Sequence, residues 1–230
     1  LQKFEYRNFF NLQGYKFRLN ELTDRIELNG QELTDKAMKN IVADLLGYGF
    51  KSIEITNLMI ESIAYENRYD PLREYILSLK WDGIPRIGPF TDYFDDETNM
   101  FWTYLPKWMI GSVARILNRD GARNPVIILD GNQEIGKSKF VEWLCPLPFF
   151  HREGSINPED KDHRAALTST WIWEISEFGA TTRKADREQL KNFLTEGNIT
   201  VRRAWGRNEK RRPSIASFIA TVNNESGILS

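Results

Sequence analysis

The sequence contains very little cysteine and histidine and no long hydrophobic run. One cysteine, Cys145, excludes an internal disulfide framework, and together with only two histidines it argues against a zinc site. No apolar run approaches the ~20 residues of a membrane-spanning helix, and no segment has the pattern of a signal peptide. A formal net charge of −1 excludes a globally basic nucleic-acid binder but leaves room for local basic patches. We therefore expect a protein of the reducing cytoplasm with no membrane partner, and we expect Cys145 to be a buried apolar residue near a helix end.

One segment that is present has a specific chemical meaning. Residues 131–138 fit the pattern G-x-x-x-x-G-K-[ST] at every fixed position. A short apolar run, 125–130, is typical of a buried strand before the loop, and 139–144 has a helical apolar face after it. A strand, a glycine loop and a helix in this order form a cradle for phosphate groups. The alternative is a chance match in a glycine turn.

This motif predicts ATP as the ligand and Mg²⁺ as its metal. Lys137 is expected to reach the β- and γ-phosphates, and the Ser138 hydroxyl to ligate Mg²⁺. The predicted nucleotide-binding residues are Gly131, Asn132, Gln133, Glu134, Ile135, Gly136, Lys137 and Ser138.

A second segment supplies carboxylates. Trp171, Ile172 and Trp173 form an apolar run typical of a buried strand, and Glu174 and Glu177 follow at its exit. Glu177 is predicted to polarise the attacking water, and Glu174 to act with Mg²⁺ or to orient a neighbour. The alternative for either glutamate is a solvated carboxylate beyond the strand.

A third apolar strand, 217–222, ends in a Thr-x-Asn sequence that carries Asn223. The Asn223 amide is predicted to hydrogen-bond the γ-phosphate or the attacking water. Asparagine after a strand is also ordinary turn chemistry, so the order of the three segments gives this prediction its weight.

The segment 199–213 predicts a basic hairpin with an aromatic tip. Such a tip suits phosphate contacts and base stacking on single-stranded DNA, and the alternative is a solvated charge run. The predicted DNA-binding residues are Arg202, Arg203, Trp205, Arg207, Lys210, Arg211 and Arg212.

The pattern of periodicity predicts two domains, with limits at 1–95 and 96–230. The first is expected to be mainly helical after a short β start, with a helix over 36–46 capped by Thr34 or Asp35, one over 56–66 and one beginning at Pro71. Tyr75, Leu77 and Leu79 are expected to form the apolar face of the last of these. The second alternates strands and helices, which predicts an α/β sheet. We expect the chain to be a fragment whose second domain is truncated at its C-terminal end.

The chain resembles the virulence-associated protein E family of phages and mobile elements, because several segments occur in the same order as in that family. The resemblance covers about residue 15 to the end. The segments that carry it, besides the glycine loop, are 20–23, 69–75, 81–86, 171–177, 190–194 and 219–223. The family often has glycine where this chain has Glu134, so a carboxylate is expected close to the phosphates.

The resemblance implies a P-loop NTPase core of the AAA+ or superfamily 3 type, assembled as a homo-oligomeric ring, a hexamer being expected for the full-length protein. It also implies ATP-driven movement along single-stranded DNA in a bacterial host cell. It makes Lys137 and Ser138 nucleotide residues, Glu177 the catalytic carboxylate, Asn223 the sensor and 199–221 a DNA-contacting loop. An arginine finger is expected from a segment beyond Ser230.

The sequence thus predicts the ATPase core of a DNA helicase or translocase from a replication protein. Two rival classes stay open: a P-loop kinase acting on a small molecule, and a nucleotide-gated DNA-binding or scaffold protein without turnover.

Overall fold

The computed structural model describes residues 3–50, 52–94, 96, 100–117, 123–176, 184–201 and 209–223, with residues 184–187 and 201 described as backbone alone. The chain divides into two compact units, Leu1–Leu79 and Lys80–Ser230. Each unit has its own hydrophobic core.

The first unit combines four helices with a small antiparallel sheet of order β1-β2-β3. Its core is rich in aromatic rings, among them Tyr6, Phe10, Phe17 and Phe50. Its elements are α1 (Lys3–Leu12), β1 (Phe17–Asn20), β2 (Arg25–Leu28), β3 (Gln31–Glu32), α2 (Asp35–Gly47), α3 (Ile53–Glu66) and α4 (Pro71–Ser78).

Local capping chemistry places α2 and α4 as predicted. The Thr34 hydroxyl accepts a hydrogen bond from Ala37 N at 3.2 Å, and Asp70 accepts one from Arg73 N at 3.0 Å. Pro71 occupies the first position of α4, where its missing N–H costs no hydrogen bond. The expected apolar face of α4 is wrong, however, because Leu77 and Leu79 are exposed and the buried residue is Leu72.

The second unit contains the remaining helices and strands. They are α5 (Ile87–Thr91), α6 (Met100–Leu117), β4 (Ile127–Asp130), α7 (Lys137–Leu144), β5 (His151–Glu153), α8 (Lys161–Ala166), β6 (Ile172–Ile175), α9 (Lys184–Thr195), β7 (Asn198–Val201), β8 (Lys210–Pro213) and β9 (Ser217–Val222). The predicted mixture of helices with a parallel sheet is confirmed.

The four-stranded parallel sheet has the order β4-β9-β6-β5. Every residue of β6 and β9 is buried, as expected for parallel strands covered on both faces. Trp173 and Phe218 lie in a core cluster with Leu167, which directly follows α8, and with Phe193 of α9. Because side chains alternate along a strand, Glu174 and Thr221 face the opposite side, where α6 and α7 contact the sheet.

An aromatic cluster attaches α5 to the second unit. The Phe90 ring stacks on Phe140 and Trp143 of α7, with centroids 5.5 and 5.2 Å apart and planes inclined by 22°. Phe94 contacts Phe101 of α6 at 4.4 Å. The compact units therefore divide between Leu79 and Lys80, ahead of the domain limit expected between residues 95 and 96.

Within the described residues, none of the helices combines the length and apolarity needed to cross a membrane.

Candidate functional site

The loop between β4 and α7 occupies the carboxyl edge of the parallel sheet. Gly131 has φ 155° and Gly136 has φ 94°, both in the region that favours glycine. A Cβ at Gly131 would lie 2.6 Å from Ile135 Cδ1, the end of an exposed side chain that can move aside, so the backbone conformation is what favours glycine there. Gly136 is the N-cap residue of helix α7 and provides no side-chain hydrogen bond to it. The first N–H groups of α7 and the positive end of its dipole therefore suit an anion.

Glu134 occupies a position at which the resembled family is expected to have glycine often, and its backbone conformation suits glycine. Its φ is 63°, in the left-handed region that a side chain with a Cβ rarely adopts. The side chain is exposed, so no buried contact of its own stabilises this conformation.

Lys137, the first residue of α7, directs its ammonium group back into the loop. Nζ donates to the carbonyl oxygens of Gly131 and Asn132, each at 2.6 Å, and to Asn223 Oδ1 at 3.2 Å. Carbonyl and amide oxygens satisfy the ammonium donors without neutralising the charge. The group therefore remains a positive charge that a phosphate oxygen can bind.

Glu174 lies at the centre of a small polar cluster and has no exposed surface. Its Oε1 accepts hydrogen bonds from Ser138 Oγ at 2.6 Å and from Thr221 Oγ1 at 2.9 Å. Its Oε2 is buried and has no hydrogen-bond partner among the described residues. A buried carboxylate oxygen without a donor is unfavourable unless a cation or water completes the site.

These residues fit a bound Mg²⁺ ion. The Ser138 hydroxyl gives its one proton to Glu174 and keeps lone pairs for a metal, while Glu174 Oε2 is an open hard-oxygen ligand. The described residues contain no group of three or more His, Cys, Asp or Glu side chains arranged to hold a metal. A magnesium ion here would therefore take further oxygen ligands from phosphate and water, as is usual for this ion.

The structure brings part of the predicted site together. The predicted residues form two sets of hydrogen bonds: Lys137 donates to Asn223, and Ser138 donates to Glu174. The predicted water-polarising residue, Glu177, lies outside the described residues, so its role stays a prediction.

The predicted hairpin is present at its base. Strands β7 and β8 pair antiparallel from Asn198–Pro213 to Val201–Lys210, and the buried Ile199 anchors the hairpin in the core. Lys210 and Arg211 are exposed and Arg212 is partly buried. The predicted tip residues Arg202, Arg203, Trp205 and Arg207 lie outside the described residues.

Sequence reasoning missed the role of Thr221 in the cluster. The signal was the Thr-x-Asn spacing, because residues two apart on a strand face the same side. It also did not predict the strand order, in which β9 lies between the loop strand β4 and the carboxylate strand β6.

With this geometry established, comparison with known proteins identifies the family. The model of the virulence-associated protein E-like domain matches residues 76–229, more than half of the chain. The chain therefore belongs to this family, which confirms the resemblance. Among curated proteins, none is significantly similar to the chain in sequence.

Solved structures share the fold at low sequence identity. The A-form apo structure of the NrS-1 C-terminal region is 17% identical, with a TM-score of 0.54 over 94% of this chain and 55% of that chain. Another apo structure of the same region is 15% identical, with a TM-score of 0.55 and coverage of 94% and 56%. The chain thus spans little more than half the length of these structures.

Proposed function

We propose that this member of the virulence-associated protein E-like family is a Mg²⁺-dependent ATPase with a P-loop NTPase core of the AAA+ or superfamily 3 type. In the full-length protein, ATP hydrolysis would move a homo-oligomeric ring, expected to be a hexamer, along single-stranded DNA during replication of a mobile element. The observation that carries the proposal is the buried Glu174, which accepts a hydrogen bond from Ser138, the residue that follows Lys137 in the glycine-loop motif. This arrangement joins a phosphate cradle to a carboxylate with one open oxygen.

Each residue has a distinct task in this proposal. Lys137 exchanges its bonds to the loop carbonyls for bonds to the β- and γ-phosphates, which lowers the charge repulsion between the nucleotide and an incoming nucleophile. Ser138 and Glu174 hold Mg²⁺, which when bound neutralises phosphate charge and orients the phosphates. Asn223 donates its amide to the γ-phosphate or to the attacking water. Glu177 aligns or deprotonates that water, and a neighbouring subunit supplies an arginine.

The strand order supports this class of chemistry. Because β9 separates β4 from β6, the loop and the carboxylate lie on either side of a strand that itself ends in Asn223. Polar groups thus lie near the carboxyl ends of three neighbouring strands, the region where an open α/β sheet generally binds its ligand, which supports the proposal.

The testing experiment measures ATP hydrolysis by the full-length protein with and without single-stranded DNA, beside Lys137→Ala. We expect DNA to stimulate turnover and the variant to lose at least ~100-fold, since an ammonium group that stabilises developing phosphate charge is worth that much. Undiminished turnover in Lys137→Ala would overturn the site. Nucleotide binding without turnover would favour a nucleotide-gated scaffold, and DNA-independent phosphorylation of a small molecule would favour a kinase.

The hairpin supports single-stranded DNA as the partner, and a second arm of the same experiment tests it. Charge reversal at Arg211 and Arg212 is expected to weaken DNA affinity and to reduce the salt dependence of binding by about one to two phosphate contacts. Charge reversal at Lys36 and Lys39 of α2, in the first unit, is the matched control. Equal effects of the two pairs would show that the hairpin is not the contact.

A further inference from the structure

We propose that Thr221 is a positioning residue whose hydroxyl fixes the orientation in which Glu174 presents its open oxygen to the metal ion. This inference rests on the proposed function and names a residue that acts through Glu174. Two hydroxyls donate to the same oxygen, Oε1, and none of the described residues donates to Oε2. The carboxylate is therefore held with one oxygen saturated and the other available.

The two donors differ in what else they must do. Ser138 belongs to the glycine loop, and its hydroxyl oxygen is also the predicted metal ligand. Thr221 lies on the inner strand β9 and is 8% exposed, and its hydroxyl donates a hydrogen bond to Glu174. Because threonine is branched at Cβ, its χ1 is stiff, and the hydroxyl has a fixed direction within the sheet. Thr221 is thus the donor that stays in place while the loop takes up phosphate.

The register of the sheet explains how the hydroxyl reaches its target. Glu174 on β6 pairs with Ile219 on β9, and Thr221 follows two residues later on the same face. Asn223 follows two residues after that and accepts from Lys137 at 3.2 Å. Two residues on the same face of the chain, Thr221 in β9 and Asn223 directly after it, therefore contact the carboxylate and the lysine respectively. Without the Thr221 hydroxyl, Glu174 is held by the loop alone and can exchange its two oxygens.

The experiment measures nucleotide affinity of the full-length protein in excess Mg²⁺ and in EDTA, by energy transfer from tryptophan to a fluorescent ADP analogue. Thr221→Val keeps the shape and removes the hydroxyl, and Thr221→Ser restores a donor. Thr168→Val is the matched control, since Thr168 is also buried but donates to Ala165 O, away from the site. Titration of Mn²⁺ followed by electron paramagnetic resonance provides a readout independent of fluorescence.

We expect Mg²⁺ to strengthen nucleotide binding about tenfold less in Thr221→Val than in the wild type. Mn²⁺ should also bind the variant about tenfold more weakly, as is usual when a group that orients a metal ligand is removed. Its affinity in EDTA should match the wild type, and Thr221→Ser should recover most of the metal effect. Wild-type metal dependence in Thr221→Val would overturn the inference, and so would an equal loss in Mg²⁺ and EDTA, which indicates a merely structural role. A wild-type protein that binds no nucleotide would instead overturn the proposed function, and the inference with it.

Discussion

The buried Asn20 and Thr56 of the first compact unit differ from the buried Glu174 of the second in how their polar atoms are satisfied. In the first unit, the buried Asn20 and Thr56 bond to nearby groups: Asn20 accepts from Leu22 N at 3.0 Å and donates to Glu27 at 2.9 Å, and Thr56 donates to Ser52 O at 2.9 Å. In the second unit, Glu174 is buried with one oxygen that no described residue satisfies. The first arrangement satisfies its polar groups within the fold, whereas the second leaves an oxygen that the proposed metal ion would bind.

Buried polar side chains at the two ends of β9 have different partners, although Arg115 Nε and Asn124 Oδ1, like Glu174 Oε2, have no hydrogen bond among the described residues. Near the N-terminal end of β9, Arg115 donates to the Ser214 hydroxyl at 2.8 Å. Asn124 donates to Trp108 O and Ser217 Oγ at 3.0 and 3.1 Å. Burial lowers the pKa of Arg115 to about 10, so it stays charged at neutral pH. These groups connect α6 to the sheet. At the carboxyl end of the strands, two hydroxyls instead donate to Oε1 of Glu174 and leave its Oε2 open.

The largest predicted effect separates the two cores. Phe10→Ala removes a fully buried ring from the first core and should lower the free energy of unfolding of that unit by about 3–5 kcal/mol. All seven tryptophans follow Lys80 in the sequence, so tryptophan fluorescence reports the second unit and far-UV circular dichroism reports both. Denaturant unfolding of the variant should therefore give a circular-dichroism transition that begins earlier, while the fluorescence midpoint and nucleotide affinity stay at wild-type values.

Phe218→Ala is the matched change in the second core, and it should shift the fluorescence midpoint. If both probes shift together in Phe10→Ala, the two units unfold as one. Separate free energies of unfolding could then not be assigned to them.

The next effect contrasts two glutamates. Glu27 in the first unit has both oxygens bonded, to Asn20 and to the Tyr69 hydroxyl, whereas Glu174 has one oxygen open. Glu174→Gln should lower ATP hydrolysis on the order of 10²–10³-fold because it removes a metal-ligating charge, and should raise the metal-free stability of its unit by about 1 kcal/mol because it neutralises a buried charge.

Glu27→Gln should leave hydrolysis unchanged and lower the stability of the first unit by about 1 kcal/mol, since the amide replaces one of the two accepting oxygens with an N–H donor. Steady-state hydrolysis and denaturant unfolding without Mg²⁺ measure both quantities. A loss of stability in Glu174→Gln equal to that in Glu27→Gln would mean that Glu174 is a structural group.

The sequence predicts those features that local chemistry determines. The caps at Thr34 and Asp70 fix helix starts, and the strand, loop and helix around residues 125–144 follow from periodicity and glycine. Helix α1 was missed, although Tyr6, Phe9 and Phe10 have the spacing of a helical face. The order of parallel strands depends on long crossover connections, so no local signal places β9 between β4 and β6 or Thr221 beside Glu174.

The smallest predicted effect uses Cys145, the one thiol of the chain, which lies in the second unit and is 3% exposed. The sequence prediction of a buried cysteine at a helix end is confirmed, since Cys145 caps α7 and its thiol donates to Leu147 O at 3.2 Å. Burial raises the pKa of the Cys145 thiol from 9.0 to about 11. Because the unfolded chain loses this proton first, the stability of the second unit should fall as the pH rises from about 9 to about 11, and Cys145→Ala should abolish that slope.

A thiol-specific reagent at pH 8 should label the native protein at least ~100-fold more slowly than the denatured protein, because the thiolate is both scarce and buried. In Phe10→Ala the labelling rate should stay slow, and rapid labelling there would show that opening of the first unit also opens the second.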